Sequence, residues 1–95
     1  ASSDVDPGRY FLLDRATKQM RILFQSRPEL DGLTLAPMKS VSYPARDGTS
    51  IPGYLTLPVG GQTNLPTIVL PHGGPSARDD WGFDWMAQFF AAKGY

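Results

Sequence analysis

The sequence predicts an α/β fold class for the second half of the chain, preceded by antiparallel β-structure. Two observations lead to this expectation. Residues 9–25 and 41–57 each hold two short apolar runs around a polar turn, the pattern of a β-hairpin. Residues 67–70 then form an apolar run without polar alternation, followed by a glycine-rich loop and a helical pattern. Such a run is typical of a strand that is buried on both faces of an α/β sheet.

The first hairpin pattern consists of RYFLLD at residues 9–14 and MRILFQ at residues 20–25. The residues between them, 15–19, are mostly polar and predict a turn. An isolated hairpin is only marginally stable in water. We therefore expect this hairpin to belong to a larger sheet.

The second hairpin pattern follows a connector at residues 26–37. Its turn is Asp47-Gly48, and Asp-Gly between two alternating runs is a strong hairpin signal. Pro44 and Pro52 cannot donate hydrogen bonds to a sheet. Their presence indicates edge or bulged positions in the strands.

A helix is predicted over residues 82–93. Asp79 or Asp80 is expected to cap its start, and Gly94 stands where a left-handed residue commonly ends a helix. The apolar residues cover two sides, so we expect a helix buried on both. At this spacing the two tryptophans are interpreted as core residues rather than as a stacking platform for sugars or bases. One side holds Phe83, Met86 and Phe90, and the other holds Trp81, Trp85 and Phe89.

Composition excludes several classes of function. Lys plus Arg and Asp plus Glu are nine each, so no basic surface for nucleic acid is expected. The absence of cysteine excludes disulfide scaffolds, thiolate metal sites and cysteine nucleophiles. No stretch approaches the eighteen or so apolar residues of a membrane-spanning helix, so no membrane partner is expected.

The segment that points most clearly to chemistry is Pro-His-Gly-Gly-Pro at residues 71–75, between the predicted strand and the predicted helix. Acyl transfer creates an oxyanion that must be stabilised by N–H donors aimed at one point. Gly73 and Gly74 let the backbone approach a substrate with no Cβ in the way. Pro75 has no N–H, so Gly73 and Gly74 are the candidate donors, with His72 beside them.

Two other interpretations of this loop remain open on its residues alone. A strand, a glycine-rich turn and a helix also describe phosphate-binding loops, although the Gly-x-Gly-x-x-Gly and Gly-Lys-Ser/Thr patterns are both absent. An ordinary tight turn, in which His72 only hydrogen-bonds the loop, would look the same.

Two longer segments carry a resemblance to a known family. Residues 38–58 (MKSVSYPARDGTSIPGYLTLP) and 66–95 (PTIVLPHGGPSARDDWGFDWMAQFFAAKGY) resemble the start of the catalytic domain in the prolyl oligopeptidase family of serine peptidases. The branch they resemble most is that of acylaminoacyl peptidases and dipeptidyl peptidases. Members open this domain with an Arg-Asp-Gly hairpin, followed by a buried strand, a His-Gly-Gly-Pro loop and a helix ending in Gly-Tyr or Gly-Phe.

The resemblance implies a division of the chain and a role for the loop. Residues 1–37 would be the last strands of a β-propeller with a crossing segment, and residues 38–95 the incomplete start of an α/β-hydrolase domain. The catalytic contribution of this chain would be the oxyanion loop, formed by His72, Gly73 and Gly74. The parent enzyme would hydrolyse peptide or acyl-peptide bonds, with no metal and no organic cofactor. Its compartment and its oligomeric state are left open.

The catalytic triad of the family has no counterpart in the chain. The family places its nucleophile in a Gly-x-Ser-x-Gly elbow, and residues 74–78 come nearest to that pattern but end in Arg78. Ser76 is interpreted as a loop or cap residue, since His72 is the only histidine and no second one could activate a serine. We therefore expect the chain to be an internal part of a longer enzyme and to be inactive alone.

Two rival functions are kept. An esterase or lipase on the same fold would share the loop but usually lacks a propeller. A non-enzymatic, β-rich binding module would lack the nucleophile elbow in its full sequence.

Overall fold

The computed structural model describes all 95 residues and contains four β-strands, a short 3-10 helix and one α-helix. The strands form two separate two-stranded antiparallel sheets, β1 with β2 and β3 with β4. No helix has the length and apolar character needed to span a membrane. The elements are β1 (Arg9–Asp14), β2 (Gln19–Gln25), the 3-10 helix (Pro28–Leu30), β3 (Met38–Pro44), β4 (Ser50–Thr56) and α1 (Trp85–Ala92).

The first predicted hairpin is confirmed, with β2 beginning one residue earlier than expected. Its register shifts between Tyr10 and Phe11, and the rings of Tyr10 and Phe24 stack with centroids 4.4 Å apart. Asp14 closes the turn, since one of its carboxylate oxygens accepts hydrogen bonds from the backbone N–H groups of Ala16 and Thr17. Both faces of this sheet are exposed, so neither face is covered by the rest of the chain.

The second predicted hairpin is also confirmed. The backbone N–H of Ala45 donates to the carbonyl of Thr49 at 2.8 Å, and Gly48 has the positive φ of +85° that a tight turn requires. Pro44 and Pro52 lie within β3 and β4. Every strand of a two-stranded sheet is an edge strand, and the β3–β4 register has no bulge, so the prediction of edge or bulged positions stays a prediction for any larger sheet.

The helix is shorter than predicted and has a different cap. It begins at Trp85, and the Asp84 carboxylate accepts hydrogen bonds from the N–H groups of Met86 (2.8 Å) and Ala87 (3.1 Å). The predictions of a start at residue 82 and of a cap at Asp79 or Asp80 were therefore wrong. Gly94 has φ +93°, which confirms the left-handed residue at the end of the helix.

The two apolar sides of the helix region differ in burial. Phe83, Met86 and Phe90 are half-buried, whereas the side with the tryptophans is exposed. The expectation of burial on both sides is thus met on one side only. The exposed residues are Trp81, Trp85 and Phe89.

The strand predicted over residues 67–70 is absent from the structure. This stretch pairs with no other strand, and the Val69 side chain is 79% exposed. A strand forms only when a neighbour supplies the other half of its hydrogen bonds, and a central strand needs neighbours at both edges. The chain provides none there. The α/β-hydrolase and β-propeller assignments, which concern a longer protein, stay predictions.

The buried interior is very small. Only Gly8, Ala36 and Ala91 are buried, and the radius of gyration is 17.1 Å. A compact domain of this length would have a radius of gyration of about 12–13 Å. The chain is therefore an extended, mostly β arrangement with one helix, in which most apolar side chains face outward.

Candidate functional site

The glycine loop, defined as residues 71–75, lies between the unpaired stretch 67–70 and the region of α1. Every residue of the loop is exposed. The His72 Nδ1 atom lies 2.8 Å from the carbonyl oxygen of Gly73. A carbonyl can only accept, so Nδ1 carries the proton in this contact. The imidazole therefore braces the backbone of the loop instead of pointing at a second side chain.

Two free backbone donors stand side by side in this loop. The N–H groups of Gly73 and Gly74 donate no hydrogen bond to any part of the chain, as is the case for every backbone N–H of residues 57–83. A Cβ added at either residue would meet no atom within 4 Å. The Gly74–Pro75 peptide bond is cis, and Pro75 contributes no donor. The loop thus has two adjacent unpaired N–H groups, on residues whose Cβ positions are open.

The chain brings no nucleophile or general base to these donors. His72 is the only histidine, and its single hydrogen bond is the one to Gly73. Ser76 makes no hydrogen bond to it. Nowhere do three His, Cys, Asp or Glu side chains come together in a group that could hold a metal ion. By itself, the loop presents two backbone N–H donors but no group that could attack a substrate.

The acidic residues that follow the loop are exposed. Arg78 Nε lies 3.8 Å from Asp80 Oδ1, and both side chains are largely in solvent. An ion pair of this kind contributes little to stability. Asp79 and Asp80 neither cap the helix nor reach the glycine loop.

A cavity of about 300 Å³ lies elsewhere, between the connector and the C-terminal end of α1. Ala36, Pro58, Val59, Gln88 and Ala91 are among the residues that line it. None of its lining residues is titratable, and none belongs to the glycine loop. The cavity therefore adds no chemistry to the candidate site.

One set of polar contacts was not foreseen from the sequence, and we call it the 36–38 joint. It comprises the backbone of residues 36–38 and the side chains of Asp4, Trp81 and Gln88, which bind that backbone. The sequence did contain a sign that Gln88 makes such contacts, because it is the only polar residue in α1. A lone polar side chain in an apolar helix usually has a hydrogen-bonding partner when it is shielded from water.

Comparison with known proteins relates the chain to peptidases. It is 36% identical over 94 residues to dipeptidyl aminopeptidase BIII of Pseudoxanthomonas mexicana, a match that covers 90% of the chain and 14% of that protein. It is 32% identical over 116 residues to dipeptidyl peptidase family member 6 of Caenorhabditis elegans, covering 99% of the chain and 16% of that protein.

The chain thus spans only about one seventh of the length of the curated relatives it matches. No family model matches the chain, and no solved structure matches it. Both relatives are named as dipeptidyl peptidases, so the similarity is to a segment of dipeptidyl-peptidase-like proteins.

Proposed function

We propose that the chain is part of a serine peptidase of the prolyl oligopeptidase family and supplies the oxyanion loop of its active site. The observation that carries the proposal is the His-Gly-Gly-Pro sequence at residues 72–75, in which two adjacent glycines have unpaired N–H groups and no Cβ to block an approaching substrate. The similarity to two dipeptidyl peptidases supports the same reaction class. In this proposal residues 1–37 end a β-propeller and residues 38–95 begin an α/β-hydrolase domain.

The chemistry follows from where charge develops. A serine from another part of the enzyme attacks the carbonyl carbon of the scissile bond, and the carbonyl oxygen becomes an oxyanion in the tetrahedral intermediate. N–H donors that are fixed in advance stabilise this charge without reorganising during the reaction. Gly73 and Gly74 donate to the oxyanion, and His72 holds their backbone through its hydrogen bond to the Gly73 carbonyl.

The substrate class is proposed from the relatives. Their names describe removal of dipeptides, and we propose that the parent of this chain also acts on peptide or acyl-peptide bonds near the amino terminus. An esterase or lipase would use the same loop on ester bonds. Comparing the full-length protein on dipeptidyl anilides and on simple esters separates the two activities.

The loop is tested by substitution in the full-length protein. Gly74→Pro deletes one donor, and Gly73→Val places a branched side chain in front of the loop. Loss of one oxyanion donor typically lowers kcat by about 10²–10³. We expect losses of that order with KM little changed, because the charge exists only in the transition state. His72→Ala should cost less, since it loosens the loop without removing a donor.

Gly82→Val is the matched control. A Cβ at Gly73 or at Gly82 has no atom of the chain within 4 Å, so both valine variants have room to fold. We expect Gly82→Val to keep nearly wild-type kcat. The proposal is wrong if folded His72→Ala loses turnover while Gly74→Pro stays near wild type, because the imidazole would then be the working group.

A further inference from the structure

All hydrogen bonds that side chains make over long stretches of sequence converge on the 36–38 joint. The N–H of Ala36 donates to Gln88 Oε1 at 2.9 Å, and Gln88 Nε2 donates back to the Ala36 carbonyl at 2.6 Å. The N–H of Met38 donates to an Asp4 carboxylate oxygen at 2.7 Å. The Trp81 indole N–H donates to the Met38 carbonyl at 2.9 Å.

The joint leaves no polar backbone atom of Ala36 or Met38 without a partner, and Pro37 between them has no N–H to satisfy. Gln88 bonds both backbone groups of Ala36, much as a neighbouring strand would. It also donates to the Asp4 carbonyl at 3.3 Å. The partners stand 34, 43 and 52 residues away from the segment they hold.

Elsewhere in the molecule side chains bond only locally. Every other side-chain hydrogen bond and every ion pair joins residues no more than three positions apart. Ala36 is also one of the three buried residues, at 4% exposure. The joint is thus the one place where polar side chains tie distant parts of the chain together.

The joint also provides the first fixed point of the chain after the glycine loop. Residues 71–80 are all exposed and make no long-range hydrogen bond. Trp81 is the first residue after the loop that is bonded to a distant segment. The first fixed point on the C-terminal side of the loop is therefore the Trp81 indole N–H, six residues after Pro75, and the next is Gln88 in α1.

We infer that the 36–38 joint is a positioning device: it fixes residues 36–38 to α1, and through Trp81 it sets where the glycine loop leaves the fold. Trp81 and Gln88 are positioning residues that act through the loop and do not touch substrate. The expected effect of these two residues on kcat rests on the proposed function. The attachment of residues 36–38 to α1 is independent of that function.

The test uses the full-length protein and two matched pairs of variants. Gln88→Met keeps the length of the side chain and removes its hydrogen bonds, and Gln62→Met is its control, since Gln62 lines the same cavity and makes no hydrogen bond. Trp81→Phe keeps an aromatic ring and removes the N–H. Trp85→Phe is its control, because the Trp85 indole has no acceptor and is similarly exposed.

Two readouts separate coupling from catalysis. Amide hydrogen exchange at Ala36 should be about fivefold to tenfold faster in Gln88→Met and unchanged in Gln62→Met, as expected for loss of a hydrogen bond. In Trp81→Phe, kcat should fall about tenfold to a hundredfold with KM nearly constant, because a displaced catalytic loop costs rate. Trp85→Phe should retain wild-type kcat.

Unchanged exchange at Ala36 in Gln88→Met would overturn the joint itself. Faster exchange at Ala36 in Gln88→Met, together with wild-type kcat in Trp81→Phe, would confirm the joint but overturn its role in positioning the glycine loop. If the wild-type protein hydrolyses no peptide, the proposed function fails, and the exchange measurement still decides whether the joint exists.

Discussion

At the scale of single residues, the aspartate carboxylates of the two hairpin turns have lowered pKa values. Hydrogen bonds from the backbone N–H groups of Thr17 and Ala16 lower the pKa of Asp14. The backbone N–H of Thr49 and then its hydroxyl lower the pKa of Asp47 from its ordinary value of 3.8. These donors favour the charged form of each side chain, so each turn is more stable when its aspartate is ionised.

The first prediction concerns Asp47. A folded-state pKa below the unfolded value contributes stability that is present above the unfolded pKa and is lost as the pH falls through the folded pKa. We expect NMR chemical shifts of β3 and β4 to show loosening of this hairpin as the pH falls below the ordinary aspartate pKa of 3.8. Asp47→Asn can still accept from Thr49 but cannot titrate, so its β3–β4 shifts should not change over this range. The same transition in Asp47→Asn would exclude Asp47 as the cause.

The residues of the glycine loop could be chosen from the sequence because their chemistry is local. The structure places the His72 imidazole against the Gly73 carbonyl, and the role of Gly73 and Gly74 as oxyanion donors stays a prediction. The 36–38 joint could not be foreseen in the same way. Asp4 and Gln88 are 84 positions apart, and only the folded path of the chain brings them together.

At the scale of elements, the accuracy of the predictions depended on whether an element satisfies its own hydrogen bonds. Both hairpins formed where expected, because the turn residues and the two paired runs lie within one short stretch. The stretch 67–70 did not become a strand, because no other segment of the chain pairs with it. The predicted start of the helix was wrong because the sequence offers three aspartates as possible caps. Only Asp84 lies directly before the first helical turn.

The second prediction concerns that cap. Asp84→Ala should remove two hydrogen bonds to the first turn of α1 and destabilise the helix by about 1 kcal/mol. Amide exchange at Met86 and Ala87 should speed up accordingly. Asp79→Ala and Asp80→Ala are the controls and should leave both rates unchanged. Equal effects of all three variants would mean that general charge near the helix, not the cap, stabilises it.

At the scale of the whole molecule, the chain buries too little to behave as an independent domain. It has 28 backbone hydrogen bonds, where a folded domain of its length would have about 60. Most of its large apolar side chains are more than one third exposed, including both faces of the first hairpin. Surfaces of this extent normally contact other protein.

We therefore predict that the 95-residue chain self-associates when it is purified alone. Sedimentation velocity at micromolar concentration should show species larger than a monomer, and thermal unfolding should be broad. Replacing Met20 and Leu23, which are 66% and 55% exposed, by lysine should reduce the association without breaking the hairpin. A monomeric chain with a sharp, cooperative transition would show that the observed burial is sufficient for stability.

We propose above all that this chain contributes an oxyanion loop, but no catalytic triad, to a serine peptidase. The most direct test compares peptide hydrolysis by the full-length protein with hydrolysis by the chain alone. We predict that the full-length protein releases the chromophore from dipeptidyl anilides and that a serine-directed fluorophosphonate abolishes this activity. The chain alone should neither hydrolyse the anilide nor be labelled, because it lacks a nucleophile elbow and a second histidine. Fluorophosphonate-sensitive hydrolysis by the purified chain would contradict the account, as would a full-length protein that is inactive on these substrates or insensitive to the reagent.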